Sequence, residues 1–551
     1  MINQEIIQRT LECIYTVKVS ADELYKSLEC KRIKDFRCIS NDLRNFLLMI
    51  QQINNKHTLE NPEIKLSDAI ESVIASLERI YKYSGRNIPL ALHKIEFELI
   101  PFIDSMYAEY YFWTCIFPHR EKWEDYYKNE MPELYANKYI EKSIDEGKYK
   151  YDLSILVVGY NKLEYTQTCV NSVLAHLPED VTCELILVNH GSTDETKSFF
   201  DTIKPTKQMD IKVNSSLNLA YTRIIEGEFY LAVSNDTIIL HNAINNMLRT
   251  IIEDDTIGRV VPTTPNVSNL QTIKADFNDY DGLVKWAEKN NVYDIFRHET
   301  RTRLCDPISL TRSNVLLSKN GINMLGRYYT SADFQTFSFP DDEISMLLRR
   351  AELKSVLCKD AYCYHFGSVT INELTEQQKI DNAVAYTNGR IEFAKAFGID
   401  PWGTGYCYDN NLFSAFECKF DGHVEVLGIN CGMGSNSLKI KEIYKEKNHN
   451  LDVYLTNAVN EEIMVNETNA VSDETYLIKE IEKIEDIGNK KYHYIVLEDP
   501  FEESGHRLSD IDLLYDYLID NGELYVKSNN DAEIDKYKTI DRIAGWLKFT
   551  K

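Results

Sequence analysis

The chain has 551 residues, of which 44% are hydrophobic and 27% are charged, a balance typical of globular proteins rather than of disordered chains. A chain of this length favours about three domains. Its formal net charge of −25 argues against a general binder of nucleic acids or anionic membranes, because those partners require a basic surface.

The chain start gives no sign of export. It lacks a basic segment followed by an apolar core, and no run of about eighteen apolar residues occurs, so we predict no transmembrane segment and a cytoplasmic location. The 12 cysteines are scattered without CxxC pairs and are expected to be reduced thiols. Cys358, Cys363 and His365 come closest to metal-ligand spacing, but two thiols on an apolar strand are more typical of a core, and we predict no structural zinc site.

Residues 1–148 are predicted to form a helical domain. Apolar residues recur with helical spacing on one face of a segment that begins at Leu66. The aromatic stretch Tyr107–Phe117 is interpreted as the core of this domain rather than as a sugar-stacking platform. The region carries no catalytic constellation, and it either docks a partner protein or supports the rest of the chain.

The pattern changes at Tyr151, where β-rich apolar runs begin to alternate with helical segments. Two of these runs, Ser154–Val158 and Glu184–Val188, are joined by a helical segment, and a third run, Phe229–Val233, follows. This order predicts a doubly wound, mainly parallel sheet in a central domain at 149–410. Ligands are expected beyond the carboxyl ends of its strands.

Two segments at strand ends resemble family-2 glycosyltransferases, which have the GT-A fold. They are Leu156–Val173 and Leu187–Thr196. In that family these strand ends hold the uracil and ribose of a nucleotide sugar. The residues at the matching positions are Tyr160, Asn161, Asn189 and Asp194. Asn189 replaces the usual base-reading Asp, and its amide offers both a hydrogen-bond donor and an acceptor, which leaves the nucleotide open.

The run Val233–Thr237 matches the D-x-D position of the same family. The resemblance makes Asp236 a ligand of a divalent cation, Mn²⁺ or Mg²⁺, and directs Asn235 toward the ribose or a metal-bound water. A cation is needed because the diphosphate leaving group carries charge that must be neutralised. The alternative for this short motif is an ordinary turn and helix cap.

The block from Pro340 to Ser368 resembles the acidic cluster and histidine of the family without a gap. The resemblance implies a general base at Asp341, with Asp342 as the next candidate, that deprotonates the acceptor hydroxyl for inverting attack. It also makes His365 part of the metal site or a contact of the diphosphate. The alternatives are an acidic triplet that caps a helix and a buried core histidine.

One further stretch, Leu310–Val315, is similar to the part of the family that leads toward the acceptor. The resemblance suggests that Arg312 contacts a phosphate of the nucleotide sugar. A surface salt bridge is an equally good interpretation of this arginine.

A third domain is predicted at 418–551. Val424–Ser435 resembles the first motif of class I methyltransferases, and two later strands resemble theirs. Thr456 and Asn457 stand where an acidic residue should hold the ribose of S-adenosylmethionine, and the chain ends too early for the last two strands. We therefore predict a truncated, inactive methyltransferase-like Rossmann domain that does not bind S-adenosylmethionine and serves packing, homodimerisation or acceptor recognition.

These features predict a multidomain α/β glycosyltransferase that is inverting and metal-dependent. The favoured reaction moves GlcNAc from UDP-GlcNAc to an acceptor hydroxyl on a protein or glycan. The architecture resembles that of bacterial flagellin-modifying glycosyltransferases, which suggests Ser or Thr of flagellin as the acceptor. The alternatives are an S-adenosylmethionine-dependent methyltransferase and a non-catalytic binding scaffold.

Overall fold

The computed structural model describes residues 4–56, 65–212, 217–327, 339–367, 375–403, 405–414, 416–501, 504–528 and 540–551. The chain forms two compact units. The first comprises Met1–Ile239 and Pro307–Gln335, and the second comprises Leu240–Asp306 and Thr336–Lys551. Among the helices of the described ranges, none combines the length and the apolar character needed to cross a membrane. The predicted domain boundaries stay predictions.

The amino-terminal region is helical, as expected from its apolar periodicity. Its buried side chains include most of the predicted aromatic stretch, among them Phe112 and Trp113, which therefore belongs to the core. Short π-helical turns interrupt the helices at Ile95–Leu99, Phe112–Ile116 and Tyr126–Glu130. The α-helices are α1 Gln4–Glu29, α2 Ile33–Lys56, α3 Leu66–Ser84, α4 Ile88–Lys94, α5 Ile100–Tyr111, α6 Trp123–Asp125, α7 Met131–Tyr135 and α8 Lys138–Glu146.

Strands and helices alternate after α8. The strands are β1 Tyr151–Gly159, β2 Cys183–His190, β3 Lys207–Ile211, β4 Gly227–Ser234, β5 Thr237–Ile238, β6 Ile257–Thr263, β7 His298–Arg301, β8 Ile308–Arg312, β9 Lys354–Tyr362 and β10 Tyr364–His365. The helices are α9 Leu163–Ala175, α10 Thr196–Ile203, α11 Asn218–Thr222, α12 Ala243–Glu253, α13 Tyr280–Asn290, α14 Ser313–Leu317, α15 Lys319–Leu325, α16 Pro340–Arg350, α17 Glu376–Phe397 and α18 Asn410–Ser414.

Within the first unit, the strands lie in the order β3-β2-β1-β4-β8. β1 pairs in parallel with β2 and β4, and β2 pairs in parallel with β3. β8 is antiparallel to β4, so this sheet is mixed. The carboxyl ends of β1, β2 and β4 therefore meet at one edge, whereas β8 ends at the opposite edge.

The helical region and this sheet are joined through the buried carboxylate of Glu98. It accepts hydrogen bonds from Ser76 Oγ at 2.6 Å, Arg79 Nη2 at 2.6 Å and Lys94 Nζ at 2.9 Å. The backbone N–H of Asp210, on β3, also donates to it at 3.2 Å. Burial opposes ionisation, but the charges of Lys94 and Arg79 lower the pKa of Glu98 to about 2. The helices are thus fixed to the edge strand by a satisfied charge.

In the second unit, β9 pairs in parallel with β6 and antiparallel with β7. Helix α16 precedes β9 directly in the chain and has three acidic residues in its first turn, Asp341, Asp342 and Glu343. Acidic side chains at a helix start are stabilised by the free N–H groups there. The first turn of α16 thereby holds carboxylates at a defined place in this unit.

The carboxyl-terminal region contains a seven-stranded sheet in the order β13-β12-β11-β14-β15-β17-β16. The first five strands pair in parallel, and β17 is antiparallel to both β15 and β16. The strands are β11 Val424–Ile429, β12 Val453–Val459, β13 Glu474–Leu477, β14 Tyr492–Leu497, β15 Leu518–Lys527, β16 Ile540–Ile543 and β17 Trp546–Thr550. The helices are α19 Ser435–Asn448, α20 Glu462–Asn469 and α21 Leu508–Asp516.

Two expectations for this region were wrong. The sheet is not truncated, because β16 and β17 complete it as a short hairpin turning at Gly545, whose φ of 78° suits glycine. Each strand is too short to have been recognised by period alone. Thr456 and Asn457 also do not mark a strand end, because both are buried inside β12, which continues to Val459.

Candidate active site

The loops after β1 and β2 are held together by their own polar side chains. Asn161 adopts a left-handed backbone with φ of 55°, and its Oδ1 accepts a hydrogen bond from the Thr193 N–H at 2.8 Å. The Asn161 N–H donates to Ser192 Oγ at 2.9 Å, and the Ser192 N–H donates to Asn189 Oδ1 at 3.1 Å. Asn161 and Asn189, both predicted to bind the nucleotide, therefore fix the shape of this edge of the sheet.

Asp194 binds the same loops with both of its carboxylate oxygens. Oδ2 accepts from the Leu163 N–H at 3.1 Å, at the start of α9. Oδ1 accepts from the N–H and the hydroxyl of Thr196, at 3.1 Å and 2.6 Å, at the start of α10. The carboxylate thus caps one helix and anchors a second, which is a positioning role.

The loop after β4 reaches the same edge. Asn235 donates through Nδ2 to Thr166 Oγ1 at 2.8 Å and to the Asn161 carbonyl at 3.4 Å. Asp236 follows it and is half-buried, and Tyr160 is 40% exposed. Three strand ends therefore bring together six of the predicted site residues: Tyr160, Asn161, Asn189, Asp194, Asn235 and Asp236.

Arg312 does not lie with them. β8 runs antiparallel to β4 and places Arg312 opposite Phe229, near the start of β4, whereas Asn235 follows the end of β4. Five residues of strand separate Phe229 from Ser234, or about 17 Å at ~3.3 Å per residue. The guanidinium lies 5.5 Å from the centre of the Phe229 ring. The prediction that Arg312 contacts a donor phosphate is inconsistent with this placement.

In the second unit, Asp341 lies beside another carboxylate. The N–H of Asp306 is 3.4 Å from Asp341 Oδ2, and Asp306 Oδ2 is 2.8 Å from Arg259 Nη1. Arg259 also donates to Ser345 Oγ at 2.6 Å, and that hydroxyl donates to the Asp341 carbonyl at 2.7 Å. Burial and the negative charge of Asp306 raise the pKa of Asp341 well above its usual range, although Arg259 opposes the shift.

Asp342, the next residue, is bound differently. Arg303 Nη2 donates to its Oδ2 at 3.0 Å, Arg303 Nε lies 3.0 Å from its Oδ1, and the Tyr406 hydroxyl donates to Oδ1 at 3.2 Å. Burial raises the pKa of Asp342, and the charge of Arg303 opposes that shift. All three side chains are almost fully buried, which is typical of a structural ion pair.

His365 ends the short strand β10 and is half-buried. Its carbonyl accepts a hydrogen bond from Asn266 Nδ2 at 2.9 Å. Gly367 packs against the same asparagine, where an added Cβ would lie 2.5 Å from Asn266 Cβ. The backbone around the histidine is therefore fixed. Ser368, the last residue of the predicted motif, lies outside the described residues.

Sequence reasoning missed several residues of this arrangement. Ser192 and Thr193 lie inside the matching motif, so their role in the loop was available from position. Asp306 and Arg259 gave no such signal, because they reach Asp341 only through tertiary folding.

Residues 154–274 match the family model described as "Glycosyl transferase family 2". The matched range contains the loops after β1, β2 and β4, including Asp236, and ends before Asp341. The match supports the prediction of a glycosyltransferase. A comparison with curated proteins found no match.

Several solved structures are similar in part. GalNAc-T7 with UDP, GalNAc and Mn²⁺ aligns with 14% identity and a TM-score of 0.31, over 39% of this chain and 44% of that chain. S. aureus TarS 1-349 aligns with 17% identity and a TM-score of 0.28, over 45% of this chain and 74% of that chain. The mannosyltransferase PcManGT from Pyrobaculum calidifontis, in complex with GDP-Man and Mn²⁺, aligns with 16% identity and a TM-score of 0.30. The alignment covers 50% of this chain and 74% of that chain. The chain thus spans less than half the length of the first of these proteins.

Proposed function

We propose that the chain is an inverting, metal-dependent glycosyltransferase that moves a sugar from a nucleotide-sugar donor to an acceptor hydroxyl. The observation that supports this most strongly is the family match over the strand-end loops, which include Asp236. The chemistry needs a site for the leaving diphosphate and a base for the acceptor, and this chain offers residues for both.

The diphosphate site requires a divalent cation. The Asp236 carboxylate is half-buried at a strand end, and oxygen ligands of this kind suit Mn²⁺ or Mg²⁺. The bound cation would neutralise the charge that develops on the departing diphosphate. We propose Asp236 and His365 as ligands of this cation.

The donor nucleotide would be held by the loops after β1 and β2. The exposed ring of Tyr160 is suited to stacking against a base, and the amides of Asn161, Asn189 and Asn235 are suited to hydrogen bonds with base and ribose. Asp194 acts by positioning these loops, because both of its oxygens accept hydrogen bonds from the chain. We omit Arg312 from the donor site.

For the general base we favour Asp341 over Asp342. Asp342 already compensates the buried charge of Arg303, so a proton taken up there would leave a cation unpaired. Asp341 has a raised pKa and carries a neighbouring carboxylate, Asp306, which increases its affinity for a proton. A base of this kind accepts the proton of the acceptor hydroxyl as the oxygen attacks the anomeric carbon.

The first experiment measures sugar-nucleotide hydrolysis and binding with Mn²⁺ for UDP-GlcNAc, UDP-Glc, UDP-Gal and a GDP-sugar. Wild type is compared with Asp236→Ala and Asp341→Ala, and Arg312→Ala is the matched control. We expect metal-dependent turnover that the first two variants lose and the control keeps. No binding of any donor would contradict the proposal.

We propose GlcNAc from UDP-GlcNAc as the transferred sugar and a Ser or Thr hydroxyl of flagellin as the acceptor. The test incubates the enzyme with purified flagellin and UDP-GlcNAc and measures the intact mass of flagellin. A mass increase of one N-acetylhexosamine per site is expected. An unchanged flagellin mass, with donor hydrolysis intact, would exclude this acceptor while leaving the transferase proposal in place.

The carboxyl-terminal sheet is proposed to be a methyltransferase-like domain used for packing or acceptor recognition. The glycine-rich loop between β11 and α19 packs against Gly405 of the same chain. The Ser435 N–H at the start of α19 donates to the Gly405 carbonyl at 3.1 Å, and a Cβ on Gly405 would lie 2.0 Å from the Cys431 carbonyl oxygen. We expect calorimetry to detect no binding of S-adenosylmethionine. Binding would favour the alternative function of a methyltransferase.

A further inference from the structure

Three side chains that commonly bind transition metals lie together in the core of the second unit. They are His298, Cys358 and Asp360. His298 on β7 pairs directly with Cys358 on the antiparallel strand β9. Asp360 is two residues beyond Cys358, and residues two apart on a strand share one face. The pairing of β7 with β9 therefore brings an imidazole, a thiol and a carboxylate to the same face.

Distances within this cluster suit a single small ion. One potential ligand atom from each of the three residues lies within 4.8 Å of the other two. His298 Nε2 is 2.9 Å from Asp360 Oδ2. The hydroxyl of Thr250, on α12, lies 3.1 Å from Cys358 Sγ and 3.4 Å from His298 Nε2, so a further oxygen atom lies next to the cluster.

The carboxylate of Asp360 is only partly satisfied by the protein. Asp360 is fully buried, and its Oδ2 accepts from the Asp294 N–H at 2.7 Å as well as facing His298. Within the part of the chain that the structure describes, its Oδ1 has no hydrogen-bond partner. A buried carboxylate oxygen without a donor is costly, and a metal ion is one of the few groups that compensate it.

Contrary to the expectation of no structural zinc site, we propose that His298, Cys358 and Asp360 bind a transition-metal ion, Zn²⁺, in a structural site that is separate from the cation of the transfer reaction. Mixed nitrogen, sulfur and oxygen ligands are typical of zinc, whereas Mg²⁺ and Ca²⁺ prefer oxygen alone. The thiol gives up its proton on binding, and the ion stabilises the thiolate. The ion would hold β7 against β9.

The test measures the zinc content of the full-length protein purified without chelators, by inductively coupled plasma mass spectrometry. One zinc per chain is expected for wild type. Cys358→Ser is expected to lose it, and Cys363→Ser, which changes a buried thiol just beyond β9, is expected to keep it. Asp236→Ala should also keep the zinc, which separates this site from the proposed catalytic cation.

A second readout covers the case in which Cys358→Ser does not fold. Wild type is grown with Co²⁺ in place of Zn²⁺, and a thiolate-to-cobalt charge-transfer band in its absorption spectrum is expected. A wild-type protein that contains no zinc, shows no cobalt band and has the same Tm with and without added zinc would overturn the proposal. The cluster would then be a hydrogen-bonded part of the core.

Discussion

The strand-end loops of the first unit and the first turn of α16 in the second unit both collect polar side chains, but they use them differently. In the loops, the side chains of Asn161, Asn189 and Asp194 accept hydrogen bonds from backbone N–H groups of neighbouring loop residues. In α16, Asp341 faces the like charge of Asp306. In the first region the polar side chains fix the shape of the loops. In the second region the charge of Asp306 raises the pKa of a carboxylate, which can then act as a base in catalysis.

The largest expected effect is the loss of the base. Asp341→Asn should lower the transfer rate by roughly 10²- to 10⁴-fold, the usual contribution of general base catalysis. The rate is measured as sugar incorporation at saturating donor. Glu at the same position should recover part of the rate. Full activity of Asp341→Asn would show that this residue is not the general base.

The same variant is expected to fold at least as stably as wild type. The folded pKa of Asp341 is raised, so the folded protein binds this proton more tightly than the unfolded chain, and stability is lost as pH rises through that range. Asparagine cannot ionise and escapes this loss. We expect Asp341→Asn to have a Tm equal to or above that of wild type at neutral pH, measured by thermal melting.

The adjacent residue should behave in the opposite way. Asp342→Asn leaves the buried Arg303 without its counter-ion, which typically costs about 3–5 kcal/mol. The free energy of unfolding, measured with urea, should fall by about that amount. If Asp342→Asn were as stable as wild type, the contrast between the two aspartates would be wrong.

The pH dependence tests Asp306. Its negative charge contributes to the raised pKa of Asp341, so Asp306→Asn should lower that pKa. The acid limb of the rate profile, where the base becomes protonated, should then move to lower pH. The profile of kcat/KM against pH is compared for wild type and Asp306→Asn. An unshifted acid limb would mean that Asp306 does not act on the base.

A smaller effect is expected where side chains only hold the loops. Asp194→Ala removes a carboxylate that accepts three hydrogen bonds, which should loosen the loops after β1 and β2. We expect KM for the donor to rise about tenfold with little change in kcat, since hydrogen bonds to charged groups are worth about 1.5–3 kcal/mol each and the loops rearrange in part. A large fall in kcat with KM unchanged would indicate a direct role in the reaction.

Arg312→Ala is expected to have the smallest effect. Because Arg312 lies near the start of β4, its removal should change donor KM by less than about twofold, as for surface substitutions generally. A tenfold rise in donor KM would show that the arginine reaches the donor after all.

Much of the first unit's edge could be predicted from sequence. The apolar runs at 154–158, 184–188 and 229–233 lie within β1, β2 and β4, and parallel strands with intervening helices bring their carboxyl ends together. Arg312 could not be placed, because the direction of a short strand is set by tertiary pairing rather than by its own residues. The hairpin of β16 and β17 was missed for a similar reason, since strands of 4 and 5 residues carry little periodicity.

The acidic cluster was predictable as a group but not as individuals. Three acidic residues at a helix start look alike in sequence, and only the tertiary neighbours Arg303, Tyr406 and Asp306 distinguish Asp341 from Asp342. The same holds for His298, Cys358 and Asp360, because the pairing of β7 with β9 lies beyond local pattern. The role of a residue that depends on one neighbouring charge can therefore be assigned only from the folded structure.

The most direct test of metal-dependent glycosyl transfer is the hydrolysis of UDP-GlcNAc with and without Mn²⁺ for wild type, Asp236→Asn and Asp341→Asn. We predict turnover that requires Mn²⁺, that Asp236→Asn loses together with affinity for Mn²⁺, and that Asp341→Asn loses while still binding donor and metal. Turnover that is independent of Mn²⁺ and unaffected by both substitutions would contradict the proposed site.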